Sequence, residues 1–371
     1  VGGGRMLSSY EDGRARDRLA LLQETGMNWK IVEIPELRGY VVEWAEPGNY
    51  LLSRRNSLFR SADLQPPFEH PADFPAPSWR STLARARLAQ RLLRFSVNVV
   101  LPLSNGDTFV SFDKSIGVLR NGRMTALRGL RRPCRILRSG AASATDASVY
   151  FGEYFGNSDK SEVNVYRYAP GADSVEVVYT FPAGTARHVH GTYFDPFDGS
   201  LVCLTGDADH ECRMIRSRDG FDTVEIIGEG DESWRAVSIL FTEDAMYYGT
   251  DAEFRSNTIY RLDRGTGERE ELGEVSGTVF YSQRFQGELF FTTTAENAPS
   301  QKENVAAIWN VDKEGKLIEL AKFQKDLWHT SLFGFGTVYF PHASSVSDRS
   351  FFSVYATEND GRTFEIVNRS P

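Results

Sequence analysis

His188 and His190 stand two residues apart in Arg187-His188-Val189-His190-Gly191, a spacing that places both imidazoles on one face of a strand. Asp207 follows in Thr205-Gly206-Asp207, and Asp251 in Gly249-Thr250-Asp251. These residue types allow three chemistries. Asp207 and Asp251 could serve as acid and base or as nucleophile in glycoside hydrolysis, their separation deciding inversion or retention. For a uronic acid the alternative is β-elimination: an arginine or a metal neutralises the carboxylate while His188, His190 or a tyrosine removes the α-proton. The third is a divalent metal held by His188, His190 and His210, with Asp207, His329 or His342 able to complete the sphere. No cofactor is required by the first two.

Binding groups accompany the reactive ones. Arg138, Arg187 and Arg235 could each grip a substrate carboxylate through two parallel hydrogen bonds. Trp234 and Trp328 could stack on sugar faces, with Glu153 and His329 nearby. The plain counter-reading is that acids and arginines pair with one another along a wet channel and do nothing else.

These residues are positioned by a repeat. One set of strands reads Val149-Tyr-Phe-Gly-Glu153, Leu201-Val-Cys-Leu-Thr-Gly-Asp207, Met246-Tyr-Tyr-Gly-Thr-Asp251, Leu289-Phe-Phe-Thr-Thr-Thr294 and Val338-Tyr-Phe-Pro-His342, starting 52, 45, 43 and 49 residues apart. A second set follows at 163–168, 213–217, 258–262, 307–311 and 352–356. Asp/Gly turns then lead to alternating strands at 175–180, 224–227, 269–272, 317–320 and 364–367. Further strands precede at 189–194, 236–241 and 278–285. Four antiparallel strands repeated every 45 residues or so is the signature of a propeller blade. Five blades fill 136–371, and two weaker ones at 39–74 and 97–130 raise the number to seven, with six as the alternative. The chain reads as an all-β, single-domain β-propeller over 1–371.

Two helices are expected beside it. One spans 12–23. The other, over 78–95, opens on a Ser78 cap and carries Arg80, Arg85, Arg87, Arg91 and Arg94 as an insertion between the first two blades.

The turn Thr357-Glu-Asn-Asp-Gly-Arg-Thr-Phe364, and more loosely Ser217-Arg-Asp-Gly-Phe-Asp-Thr223, resembles the Asp-box. Side-chain oxygens there bond the turn's own backbone while glycine takes positive φ. The chain is therefore similar to the BNR/Asp-box β-propellers, whose best-known members are sialidases and related glycosidases. The resemblance implies a sialidase-like propeller fold in which the box is structural and lies away from the active site. The sialidase site itself is not recognisable: its Tyr/Glu nucleophile pair has no counterpart beyond Glu153 beside Tyr154.

On a propeller, function gathers at the axis. The face concerned carries the loops between second and third strands and those entering each innermost strand. The first loop class supplies Glu153, Asp207, Asp209, His210, Asp251, Glu253 and His342; the second supplies Arg138, Arg187, His188, His190, Trp234, Arg235, Trp328 and His329. Five of the six histidines fall there, leaving His70 outside.

Charge divides the chain. Of 42 Lys+Arg and 50 Asp+Glu, residues 75–140 hold 13 bases against Asp107 and Asp113, so that stretch is +11 and the remainder 29 − 48 = −19. Arg120, Arg123, Arg128, Arg131, Arg132, Arg135 and Arg138 extend the basic helix. They can bond the acidic remainder, or meet an acidic glycan, a protein or an anionic surface. Nucleic acid is excluded as a partner by the absence of any recognised motif and the net charge of −8. At 41% hydrophobic and 25% charged residues the chain is globular, with no run long enough for a membrane helix. Three cysteines without a CxxC exclude a disulfide scaffold and a structural zinc site. A hairpin centred between 201–205 and 210–214 would set Cys203 against Cys212, either bonded or as two buried thiols. No apolar signal region opens the sequence, and a glycan-directed protein would act outside the cell or at its surface.

The expectation is a propeller that acts on or binds an acidic polysaccharide through its axial face. A recognition or assembly module, such as an adhesin or a receptor-binding subunit, is the alternative.

Overall fold

The computed structural model describes residues 28–136, 139–143, 146–343 and 349–369. Seven sheets succeed one another along the chain, as the repeat predicts, antiparallel but for one short parallel pair in blade 1. Blades 1 to 6 occupy 41–73, 97–126, 141–181, 188–229, 236–275 and 279–324, each running from an innermost first strand to an outermost fourth.

Burial explains the sequence signal. Second strands are covered on both faces by neighbouring blades, so Leu201–Gly206 and Glu288–Thr293 are buried throughout. Fourth strands face solvent, as in Glu225–Glu229. The core lies between blades: Phe290 and Ile308 of blade 6 meet Phe352 and Ile366 of blade 7. The small residue that ends the second strand also has a cause. A Cβ at Gly152 would lie 2.3 Å from Val189 in the next blade, and one at Gly249 would lie 2.5 Å from Val279.

Blade 7 corrects the sequence reading. Its innermost strand is Thr337–Tyr339, followed by Ser350–Tyr355 and Thr363–Asn368, so the repeat there is offset by one strand. The missing outermost strand is Trp29–Glu33 from the other end of the chain, paired from Trp29↔Asn368 to Glu33↔Phe364. No local pattern marks this strand, whose partner lies more than 300 residues away. His342–Ala343 leaves blade 7 and pairs with Trp44–Ala45, making blade 1 five-stranded. The helix expected over 12–23 falls outside the described residues.

The expected helix over 78–95 is two short helices, α1 (Ser78–Leu83) and α2 (Arg87–Leu92), and Pro77, not Ser78, occupies the cap. This insertion folds onto blade 7. Arg91, buried, bonds Asp326; Arg87 bonds Asp360 twice at 2.7 Å; Arg80 bonds Asp113 at 2.8 Å. Three of the five arginines expected to face a partner therefore close on the propeller. Arg94 donates to the Ser331 carbonyl, and Arg85 is exposed.

The two Asp-box-like turns differ in place. Ser217–Thr223 lies between third and fourth strands, where the Asp219 carboxylate accepts from Thr223 N at 2.9 Å and Phe221 N donates to Ser217 Oγ at 2.8 Å. The better sequence match, at 357–364, lies between second and third strands on the axial face, a consequence of the offset in blade 7. No described helix is long and apolar enough to cross a membrane.

Candidate functional site

His188 and His190 open the innermost strand of blade 4, and Asp207 ends the strand beside it, with His188 paired to Gly206 across the ladder. His190 sits at a register shift between Val189 and Gly191. Asp207 adopts φ +126°, a conformation costly for any residue with a Cβ. The strand's last glycine makes the room: a Cβ at Gly206 would lie 2.7 Å from His190 and 2.8 Å from Arg235.

The Asp207 carboxylate is the hub. Its Oδ1 lies 3.5 Å from Nε2 of His188, 3.5 Å from Nε2 of His190 and 3.2 Å from Arg235 Nη2; Arg187 Nε is 3.3 Å from Oδ2. Arg235 also binds Asp251 at 3.1 Å. Burial opposes the charge on Asp207, but the two histidines outweigh it and hold the carboxyl well below the usual range. At Asp251 burial wins over the Arg235 guanidinium and pushes the carboxyl well up. Burial likewise pulls His190 down to about 4 against the pull of Asp207. The Tyr154 ring stacks 4.1 Å from His188, and burial, with the nearby Asp251 and Asp207 carboxylates, pushes its phenol up.

Two cavities open on this face. One, of about 540 Å³, is lined by Lys114, Arg135, Arg187, His188, Asp207 and Arg235. The other, of about 410 Å³, runs over the axis from blade 1 to blade 7 and is lined by Arg54, Arg55, Arg87, Arg94 and Arg135, with tyrosine and phenylalanine rings between them. Arg135 and Tyr154 line both. Among the described residues, no carboxylate lines the second cavity, and Arg54, Arg55 and Arg94 have no carboxylate within ion-pair distance.

Of the residues singled out from sequence, His188, His190, Asp207, Arg187, Arg235 and Asp251 come together. Asp251 nevertheless turns inward to Arg235, 5% exposed, and lines neither cavity. Arg235 thus stands between the two carboxylates expected to work as a hydrolytic pair. The rest disperse. His210 points outward to Lys160 and Glu211, apart from the other two histidines. Glu153 is fully buried and accepts bonds from Asn164 and Tyr166. Trp234 packs against Gly228 with Arg269 over its ring at 4.2 Å, so it offers no free face. Trp328 and His329 sit at the rim beside α3 (Thr330–Phe333). His342 follows an innermost strand, not a second one, and belongs to the opposite end of its blade. Arg138 lies outside the described residues.

Sequence reasoning missed Arg54, Arg55 and Lys114. Arg54 ends the second strand of blade 1, and Arg55 and Lys114 lie in the turns between second and third strands of blades 1 and 2, so the loop rule applied to those weaker repeats finds them. Cys134, Cys203 and Cys212 are free and buried. Cys203 pairs with Ile215 because the turn Asp209–Glu211 lengthens the hairpin, which takes Cys212 out of register.

No family of known proteins matches the chain, and no curated protein matches it by sequence. Solved structures do. The extracellular domain of BT4673 from B. thetaiotaomicron, described as a one-component system, superposes with a TM-score of 0.56 at 10% identity, over 92% of this chain and 40% of that one. The chain thus spans less than half of that neighbour. YCF48, solved bound to a D1 peptide, gives 0.56 at 11% over 95% and 99%, and a chain of the mitotic checkpoint complex 0.54 at 11% over 99% of both. Likeness at such low identity is one of fold alone, and the fold is that of a seven-bladed β-propeller.

Proposed function

We propose that this propeller binds an acidic polysaccharide across its axial face. The observation that carries the reading is the axial cavity lined by five arginines, interleaved with aromatic rings and free of carboxylates among the described residues, in a chain whose net charge is −8. Guanidiniums match carboxylates in shape and charge, tyrosine faces suit sugar rings, and the volume is that of a ligand site. The wider cavity extends the same surface with Lys114, Arg187 and Arg235.

The chemistry this arrangement favours is uronate β-elimination, since Arg235 separates Asp207 from the buried Asp251. Arg187, half exposed, can neutralise the uronate carboxylate, and Tyr154, reaching both cavities, is placed to move a proton. In such a step the C–H bond α to the carboxylate breaks, its electron pair forms a double bond and its proton passes to Tyr154 Oη. The phenol hands its own proton to the glycosidic oxygen as the C–O bond at the β-carbon breaks. Recognition without chemistry is the second reading, favoured by the ion pairs that already occupy Asp207.

Calorimetry with oligogalacturonate, hyaluronan and neutral dextran oligosaccharides tests binding. Acidic ligands should bind, neutral ones should not, and Arg54→Ala/Arg55→Ala should weaken binding about tenfold or more, a loss of ~1.4 kcal/mol or more. Equal affinity for neutral and acidic sugars refutes the reading. Unsaturated ends, followed by their ultraviolet absorbance, separate elimination from recognition alone.

A further inference from the structure

The two histidines share an arrangement that a buried ion pair does not explain. His190 Nδ1 lies 3.0 Å from the Ala236 carbonyl oxygen and His188 Nδ1 lies 3.3 Å from that of Phe155. A carbonyl oxygen only accepts, so each Nδ1 carries the proton, and in the neutral ring each Nε2 is then a bare lone pair. Both lone pairs point at the same carboxylate oxygen, 3.5 Å away. Three potential ligand atoms thus converge, and Nε2 of His188 is buried without a hydrogen-bond partner. Such a convergence calls for a cation at its centre.

We propose that His188, His190 and Asp207 form a site for a divalent first-row transition-metal ion such as Zn²⁺. The three ligand atoms lie within 4.8 Å of one another. Bonds of about 2.0–2.1 Å at a tetrahedral angle put neighbouring ligand atoms about 3.4 Å apart, close to the two separations of 3.5 Å found here. Fixing each imidazole by a bond from its other nitrogen to a backbone carbonyl is how metal-ligating histidines are oriented. Gly206 lets His190 and Arg235 pack close against the strand, and His188 and Asp207 border the wider cavity, so the site opens toward the ligand space on their side.

The guanidiniums do not forbid an ion. Asp251 and Glu232 also accompany Arg235, so its guanidinium is not held by Asp207 alone. A carboxylate offers about four lone-pair directions; Arg187 uses the oxygen away from the histidines and Arg235 one direction of the oxygen facing them. A metal here would share with Arg187 the neutralisation of an incoming carboxylate, which deepens the proposed glycan reading. The ion site involves no glycan contact, so either proposal can fail alone.

The test is calorimetric titration of the whole, chelator-treated protein with Zn²⁺ and Mn²⁺ without sugar, alongside Co²⁺ loading followed in the visible spectrum. One ion per chain should bind, with the intense absorption of low-coordinate cobalt. Asp207→Asn and His188→Gln should each weaken it about 100-fold or more, while the exposed His210→Ala leaves it unchanged. His190→Gln provides a third arm should either variant fail to fold, read by circular dichroism. Binding weaker than millimolar, binding insensitive to these variants, or loss on His210→Ala overturns the proposal.

Discussion

Arg91 is the strongest mechanical link between the helical insertion and the ring, and replacing it with Met should loosen that insertion. The side chain is 2% exposed. Its Nε donates to the Phe333 carbonyl at 2.8 Å, Nη1 to Asp326 at 2.5 Å and Nη2 to the other Asp326 oxygen at 3.4 Å, with Asp360 at 3.7 Å. Removing one partner of a buried pair costs about 3–5 kcal/mol. The low end applies, because Asp326 keeps Lys325 at 2.5 Å and Asp360 keeps the Arg87 fork. A loss of about 3 kcal/mol corresponds to roughly 100-fold faster opening. Because α1 and α2 are short and lie outside the blades, the opening should be local. Native-state hydrogen exchange should show amides over 84–95 exchanging about 100-fold faster, with protection inside blades 3 to 5 unchanged. Arg91→Lys should fall between, since one ammonium cannot reproduce the fork. As Arg87, Gln90 and Arg94 line the axial cavity, the same variant should also weaken binding of acidic sugar. Unaltered protection of 84–95 in Arg91→Met would refute the assignment.

Two further outcomes concern closure of the ring and pH. Trp29 is 4% exposed, packs on Phe285 and Phe290 of blade 6 and donates to Glu288 at 2.7 Å, so Trp29→Ala should cost about 3–5 kcal/mol by urea titration. An unchanged midpoint would mean that the terminal strand does not close the ring. The Ser233 hydroxyl and N–H, with Arg255, hold Asp231 down at about 2 against its partial burial. A depressed folded pKa gives stability that is present above the unfolded carboxylate value near 4 and lost as pH falls through about 2. Asp231→Ala should therefore cost about 1 kcal/mol at neutral pH, and its urea midpoint should converge on the parent's as pH approaches 2. A gap independent of pH would place the effect elsewhere.

The blades were legible because their second strands are buried on both faces and their turns demand Gly, Asp and Asn, so each repeat carries the same local constraints. Blade 7 was misframed for a topological reason. Its outermost strand, Trp29–Glu33, pairs with Thr363–Asn368, and no local pattern encodes a partner so distant. Within the site, the loop rule found Asp207, His188, His190, Arg187 and Arg235 because strand ends fix position to within a residue. It could not tell Asp251 from Asp207, since two carboxylates at equivalent strand ends differ only in what Arg235 and burial do to them. It misplaced Trp234 as well, whose ring is taken up by Gly228 and Arg269. A sequence shows that an aromatic stands at a rim; it does not show which neighbour covers it.

The basic stretch acquires its meaning from how much of it is consumed. Arg80 and Arg135 are bound by Asp113, Arg87 by Asp360, Arg91 by Asp326, Arg120 by Asp107 and Arg131 by Glu162. These six of its 13 bases, sharing five carboxylates, therefore hold the insertion and blades 2 and 3 in place and are already compensated. Of the bases left without a carboxylate partner, Arg94 from that stretch faces the axial cavity, joined there by Arg54 and Arg55, which lie outside it. Uncompensated guanidiniums in a concave, ring-lined site exert a stronger pull per charge than the same groups spread on a convex surface, because the low-dielectric walls focus their field. The partner is thus addressed by the unpaired arginines that share the axial cavity, Arg54, Arg55 and Arg94, more than by the basic stretch as a whole.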